Sequence, residues 1–254
     1  MEQQKILVIG DACIDEFVYG KCTRLCPDAP VPVFIPSVTV QNGGMAKNVQ
    51  ENIKSLGYSC DILCQDHLVR KTRYVDEKTN HTFIRVDSGE NNVQRIDKKF
   101  LDKFYLLQYD AIIISDYDKG FLTKEDIEFI CNNHQYVFID TKKHIGEYCK
   151  NAKFIKINEI EYNLSKHILD CGEYDENLIV TLGDKGCRFK GKIYPVNKVE
   201  VKDMSGAGDT FMSALVCCFL KTDDIFKSIK KANKCASYVV QKKGVAVIEK
   251  DYLD

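Results

Sequence analysis

The sequence predicts an α/β fold: a mainly parallel sheet with helices on both faces and a small β lid. Three observations carry this. Short apolar segments alternate with helical patterns along most of the chain, the rhythm that parallel strands and crossover helices produce. Asp11, Asp116, Asp140, Asn158 and Gly183 each fall just beyond the end of such an apolar segment, where ligands gather in open parallel sheets. Two stretches, near 12–40 and 69–88, break the rhythm and read as ribbon outside the main sheet. Residues 1–254 are taken as one domain with that ribbon as its lid, since 254 residues suffice for a single large core.

Each element has its own signal. Residues 5–9 are a short apolar strand ending at Gly10-Asp11. Residues 31–40 alternate and are rich in Val and Pro; proline lacks a ladder donor, so this is an edge strand. Gly43-Gly44 opens a helical pattern through Val49, Ile53 and Leu56, closed by Gly57. Residues 60–64 are a second strand, and 71–87 alternate apolar with polar residues as exposed ribbon does. The strand at 111–115 precedes a helix at 123–131, which Thr123 caps with Asp126 three residues on. Residues 137–140, 154–157 and 178–182 are further strands. A strand-like segment, 193–201, leads into a Gly-rich turn, and helices at 206–220 and 224–241 finish the chain.

Composition narrows the function. The chain has 36 Lys and Arg against 37 Asp and Glu, so no polyanionic partner is implied. The basic run at 227–243 has the spacing of a solvated helix face and lacks the aromatic interleaving of a nucleic-acid surface. No apolar run approaches the roughly 18 residues needed to span a membrane, and no signal peptide precedes Lys5. The twelve cysteines are spread out, many in apolar segments (Cys60, Cys64, Cys217, Cys218), as reduced thiols of a cytoplasmic protein would be. Cys22/Cys26 and Cys60/Cys64 have a spacing within the loose range for zinc, but no His pair accompanies them.

The most informative stretch is Asp203-Met204-Ser205-Gly206-Ala207-Gly208-Asp209-Thr210. Small residues let the turn approach a ligand closely, and free N–H groups at the following helix start favour negative charge. Asp209 lies in the first helical turn beside them. A carboxylate next to an anion hole suits phosphoryl transfer to a hydroxyl: Asp209 takes the proton while the amides of Gly206, Ala207 and Gly208 meet the charge on the phosphoryl group. A tight turn with a capping Asp would leave the same trace. No Gly-x-Gly-x-x-Gly follows the first strand and no Walker A lysine motif is present, so a dinucleotide dehydrogenase and a P-loop kinase are disfavoured.

Together the segments resemble the ribokinase-like (PfkB) carbohydrate kinases over nearly the whole chain. Gly10-Asp11 through Asp15, then Gly43, Gly44 and Asn48, resemble that family's sugar-binding elements. Asn158 and Glu161 match its Asn-x-x-Glu motif; Thr181, Gly183 and Gly186 match its Thr-x-Gly-x-x-Gly nucleotide segment; residues 203–209 match its Asp-Thr-x-Gly-Ala-Gly-Asp signature, with Met204 in place of Thr. Within the family the likeness is to the D-glycero-β-D-manno-heptose 7-phosphate kinases. Residues 24–33 resemble their Arg-Ile-Ser-Pro-Glu-Ala-Pro-Val-Pro-Val, and residues 115–120 their Ser-Asp-Tyr-x-Lys-Gly. The resemblance implies ATP and Mg²⁺ as cofactors and a sugar phosphate as substrate, phosphorylated at its anomeric hydroxyl to a 1,7-bisphosphate.

By that resemblance Asp15, Gly43, Gly44, Asn48 and Asp116 serve the sugar, and Lys71, Arg73 and Arg85 its phosphate. Thr181, Gly183, Gly186 and Asn233 serve the nucleotide, while Asn158 and Glu161 hold Mg²⁺ through water. The residue types suit these roles: carboxylates and amides bind hydroxyls, and Arg is a fork for phosphate oxygens. Asp15 capping a turn, Asn158/Glu161 capping a helix, and exposed strand cations are the plain alternatives. Asp140 and Lys142 resemble a family Asp-Pro-Lys site with Thr141 replacing Pro. The chain is shorter than typical heptose kinases after Cys64 and between Glu161 and Leu178. A kinase for fructose, ribose or their phosphates, or a catalytically silent sugar- or nucleotide-binding relative, remains an alternative, and a homodimer through the lid is compatible with the family.

Overall fold

The computed structural model describes residues 4–252. Its strands are β1 (Lys5–Gly10), β2 (Ala12–Leu25), β3 (Pro32–Met45), β4 (Ser59–Leu63), β5 (Arg70–Asp76), β6 (Thr82–Ser88), β7 (Ala111–Asp116), β8 (Val137–Thr141), β9 (Phe154–Asn158), β10 (Leu178–Thr181), β11 (Cys187–Phe189) and β12 (Lys192–Tyr194). The helices are α1 (Ala46–Ser55), α2 (Lys98–Lys103), α3 (Lys124–Asn133), α4 (Glu159–Leu164), α5 (Lys166–Leu169), α6 (Ala207–Thr222) and α7 (Ile225–Val239). The main sheet runs β12-β11-β10-β9-β8-β7-β1-β4, parallel from β10 to β4 and antiparallel beyond β10. A separate four-stranded sheet, β3-β2-β5-β6, forms the lid.

Alternation builds the two faces. In β1, Ile6 and Val8 join the core that packs α1, α6 and α7, whereas Leu7 and Ile9 join the core that packs α2 and α3. Strands with side chains buried on both faces must be apolar throughout, hence runs such as Ile112, Ile113 and Ile114. Each such buried side chain contributes roughly 1.5–3 kcal/mol over an exposed one.

The structure corrects the sequence-based reading at two places. The strand expected at 193–201 ends at Tyr194, and residues 195–201 run without regular structure. Pro195 removes the next ladder donor there. Gly43 and Gly44 close β3 rather than open a helix; α1 starts at Ala46, after Met45 turns at φ 57°. The chain around 12–25 is a 14-residue strand, paired to β3 on one side and parallel to β5 on the other. After β4, which is an edge of the main sheet, the chain passes directly into lid strand β5.

Candidate active site

The parallel strands end on one side, and the polar residues that follow them converge there. α6 begins at this place, with Gly206 at its N-cap in the left-handed region, φ 79°. A Cβ on Gly206 would stand 2.7 Å from the Asn48 side-chain nitrogen, so only glycine fits. A Cβ on Gly208 would stand 2.9 Å from the Lys156 ammonium. The Ala207 N–H donates to the Met204 carbonyl at 3.3 Å, so this amide is shared with the turn itself. Asp203 braces the approach, accepting from the N–H of Ser205 at 2.8 Å and of Gly244 at 3.2 Å.

Asp209 is 3 % exposed, and each carboxylate oxygen has its own donor. Asn48 Nδ2 donates to Oδ2 at 2.8 Å, and the Tyr117 hydroxyl donates to Oδ1 at 2.8 Å. Burial pushes its pKa up to about 6; Asp140 pushes the same way, while Asn48, Tyr117 and Lys156 oppose it. Asn48, expected to bind sugar, thus holds the Asp209 carboxylate, and Asn52 Nδ2 donates back to its carbonyl and side-chain oxygens.

Around Asp209 lie three charged residues from neighbouring strand ends. Lys156, in β9, is 3 % exposed and donates to Asp140 Oδ2 at 2.6 Å. Asp140 Oδ1 is buried with no hydrogen-bond partner among the described residues and lies 4.0 Å from the Lys142 ammonium. Lys142 in turn donates to Glu161. Asn158 and Glu161 form a capping box at the start of α4: Asn158 Oδ1 accepts from the Glu161 N–H at 2.9 Å, and Glu161 Oε2 accepts from the Asn158 N–H at 2.7 Å. The structure therefore shows their helix-start role and sets Glu161, beside Lys142, within the same network.

The lid supplies the other wall. Asp15, Lys71 and Asp87 stand in register across β2, β5 and β6, and Phe17, Arg73 and Arg85 form the next row on the same face. This brings together the residues expected at the sugar and its phosphate. Arg73 pairs with Asp15 at 2.5 Å and lies over the Phe17 ring. Asp15 Oδ2 would meet a Cβ on Gly44 at 2.2 Å, which explains that glycine. Arg85 makes a two-point pair with Asp87, at 2.7 and 2.6 Å, on the more exposed rim. Lys71 differs from both. It is 8 % exposed, has no carboxylate within ion-pair distance among the described residues, and burial pulls its pKa below the usual lysine value. Its ammonium lies 5.2 Å from the centre of the Tyr117 ring.

Asp116 is buried at the end of β7. Its oxygens accept from Lys143 Nζ at 2.7 Å and Thr141 Oγ1 at 2.5 Å, so it ties β7 to the end of β8. The Asp118 N–H is a third internal donor to Asp116, which was expected to contact the substrate. At the nucleotide segment Thr181 Oγ1 donates to the Ile157 carbonyl, Gly183 (φ 60°) faces open space, and Gly186 (φ 90°) presses on the Tyr194 carbonyl. Asn233 Nδ2 donates to that same carbonyl at 2.8 Å, so Gly186 and Asn233 meet at Tyr194.

Sequence reasoning overlooked Tyr117 and Lys156. Tyr117 sat inside a recognised stretch with no role attached; Lys156 is a lone cation in an apolar strand, a pattern that marks a paired buried charge.

Comparison with known proteins gives a concordant picture. The bifunctional protein HldE of a Nitratiruptor species is 31 % identical over 293 residues, covering 95 % of this chain and 62 % of that protein. The chain thus spans less than two thirds of that relative's length. The ribokinase of Thermotoga maritima superposes with a TM-score of 0.75 at 16 % identity, covering 98 % of each chain. An Arabidopsis thaliana ribokinase complexed with ribose and ATP superposes with a TM-score of 0.71 at 14 % identity, covering all of this chain and 98 % of the other. Residues 65–251, from just after β4 to beyond the end of α7, match the pfkB family of carbohydrate kinases, a stretch that takes in the turn at 206–209, the Asp209 carboxylate and most of the strand ends around it: the chain belongs to that family.

Proposed function

We propose that this protein transfers the γ-phosphoryl group of ATP to a hydroxyl of a sugar that already bears a phosphate, and that the sugar is a heptose 7-phosphate phosphorylated at its anomeric carbon. The observation that carries the phosphorylated substrate is Lys71, a buried ammonium with no carboxylate within ion-pair distance among the described residues, on the lid face that also holds Asp15 and Arg73. A buried cation is stable only when paired, and a sugar phosphate supplies the missing anion. Likeness to HldE proteins over 95 % of the chain supports the heptose.

The residues then divide the work. Asp209 accepts the proton as the hydroxyl oxygen bonds to phosphorus and the bond from that phosphorus to the ADP oxygen breaks. Asn48 aims the carboxylate. Lys156 and the start of α6 face charge on the moving phosphoryl group. Lys71 and Arg73 hold the distal phosphate, with Asp15 positioning Arg73. Mg²⁺ fits the donor set, because Asp140 Oδ1 is a buried oxygen lacking a partner among the described residues, and Glu161 and Asn158 add further oxygens nearby. When bound, the ion would neutralise triphosphate charge. The glycines at 183 and 186 and Asn233 border the nucleotide. Twelve free thiols support a cytoplasmic setting, and the apolar outer face of the lid supports a homodimer. Among the described residues no helix is long and apolar enough to cross a membrane.

ADP release measured over a panel of sugars and sugar phosphates with ATP and Mg²⁺ tests this reading. We expect heptose 7-phosphate to exceed the unphosphorylated sugars in kcat/KM by about 10- to 100-fold, the worth of a charge-assisted contact. ADP release that no sugar stimulates, or a preference for unphosphorylated sugars, overturns it.

A further inference from the structure

We propose, resting on the kinase reading above, that Tyr117 is a positioning residue for Asp209: its phenol fixes the direction of the carboxylate and supports its ionised form. The hydroxyl donates to Asp209 Oδ1 at 2.8 Å, and Asn48 holds the other oxygen, so the carboxylate cannot rotate without losing both bonds. Tyr117 is itself held from behind. Asp11, 1 % exposed, accepts the N–H of Tyr117 at 2.8 Å, of Lys119 at 3.2 Å and of Phe121 at 3.4 Å, which pins the loop after β7.

Two ammonium groups lie over the Tyr117 ring, Lys71 from the lid and Lys142 from the end of β8, each 5.2 Å from the ring centre. Cations at this distance are attracted to the ring and draw electron density from it, which makes the phenol a better donor. The ring keeps some contact with solvent, but its hydroxyl abuts the buried Asp209. Burial, reinforced by Asp209 and Asp140, raises the phenol pKa well above its usual value, so it stays protonated and donates. The charged groups facing Asp209 are Asp140, which opposes its ionisation, and Lys156 and Lys142, which favour it. The Cys13 thiol, pushed up to about 12, is neutral there. Tyr117 is thus, beside Asn48, a neutral donor that offsets Asp140.

The test is Tyr117→Phe, which removes the hydroxyl and keeps the ring between its lysines. Asp209 is titrated directly by its ¹³C carboxyl resonance, assigned with Asp209→Asn, in the full chain without ligands. The expected result is a midpoint about half to one pH unit higher than wild type, the shift one such hydrogen bond supplies. In kcat/KM the acid limb moves up by the same amount. Fluorotyrosine incorporated at position 117, a stronger donor, moves the midpoint down, which a merely structural role would not do. Superimposable carboxyl titrations in all three proteins overturn the proposal. A shifted titration in a chain that releases no sugar-dependent ADP leaves the Tyr117–Asp209 link standing and removes the kinase reading instead.

Discussion

Asp209 combines its proposed chemical task with a physical penalty. Its folded pKa is raised from 3.8 to about 6, mainly by burial. A raised carboxyl pKa means that folding favours the protonated form. Its contribution to stability is therefore full below about pH 3.8 and is lost as pH climbs through about 6. Above that, the ionised carboxylate destabilises the fold by something on the order of 3 kcal/mol. Asp209→Asn removes the charge and keeps the shape. We expect kcat to fall by at least ~100-fold, while the melting temperature at pH 8 rises by a few degrees. The rise should shrink by pH 5, where wild-type Asp209 is largely protonated. Activity assays and thermal melts at the two pH values check both halves; equal melts at pH 8 would show that the carboxylate is not penalised there. Asp209 and its turn were legible because one short motif holds both. Its companions were not, because Asn48 and Tyr117 lie 161 and 92 residues away and only the fold brings them to it. Lys156 was hidden for a related reason: its partner Asp140 belongs to the neighbouring strand.

Among the elements, the loop that follows β7 shows how a strand end becomes part of a site. Asp11 leaves β1 and receives three backbone N–H groups from that loop, fixing Tyr117. Asp11→Asn replaces one acceptor oxygen with an NH₂ group that faces donors. The expected loss is about 1–3 kcal/mol of stability, with faster hydrogen exchange at the amides of Tyr117, Lys119 and Phe121 and little change in α6 or α7. Exchange that stays slow at those three amides would assign the loop's order to other contacts. Elements closed by local chemistry were the readable ones. Thr123 and Asp126 make the full capping box expected of α3, and Asn158 with Glu161 makes another at α4. The segment at 193–201 misled because alternation gives a strand only where a partner is available, and none pairs beyond Tyr194. β2 falls within the ribbon read at 12–40, but its partner on β5 was not legible, because its polar residues, Asp15 and Glu16 among them, face ion-pair partners there rather than alternating simply with core.

For the molecule as a whole, the main sheet followed from the β/α rhythm, whereas the order of the lid, β3-β2-β5-β6, has no trace in local pattern because β2 and β5 are parallel and distant in sequence. That order has a consequence for assembly. The face with Asp15, Lys71 and Arg73 turns toward Asp209, so the alternate residues face outward: Val18 with Tyr74 and Ile84 in one row, Glu16 with Thr72 and Val86 in the next. Phe34 packs edge-on against Tyr74 and Phe83 beside them. Ile84 and Val86 are 57 % and 45 % exposed, and clustered exposed aliphatics of this kind mark contact surfaces. A second lid with the same face would cover them by two-fold pairing. We expect sedimentation velocity at micromolar concentration to give twice the 29.0 kDa chain mass. Ile84→Asp should weaken association by about 100-fold or more, since each dimer then buries two carboxylates in place of two aliphatic side chains. Because Ile84 points away from Asp209, the ¹³C midpoint of Asp209 should not move in the resulting monomer. A wild-type chain that sediments as a monomer at these concentrations would rule out the two-fold pairing of lids.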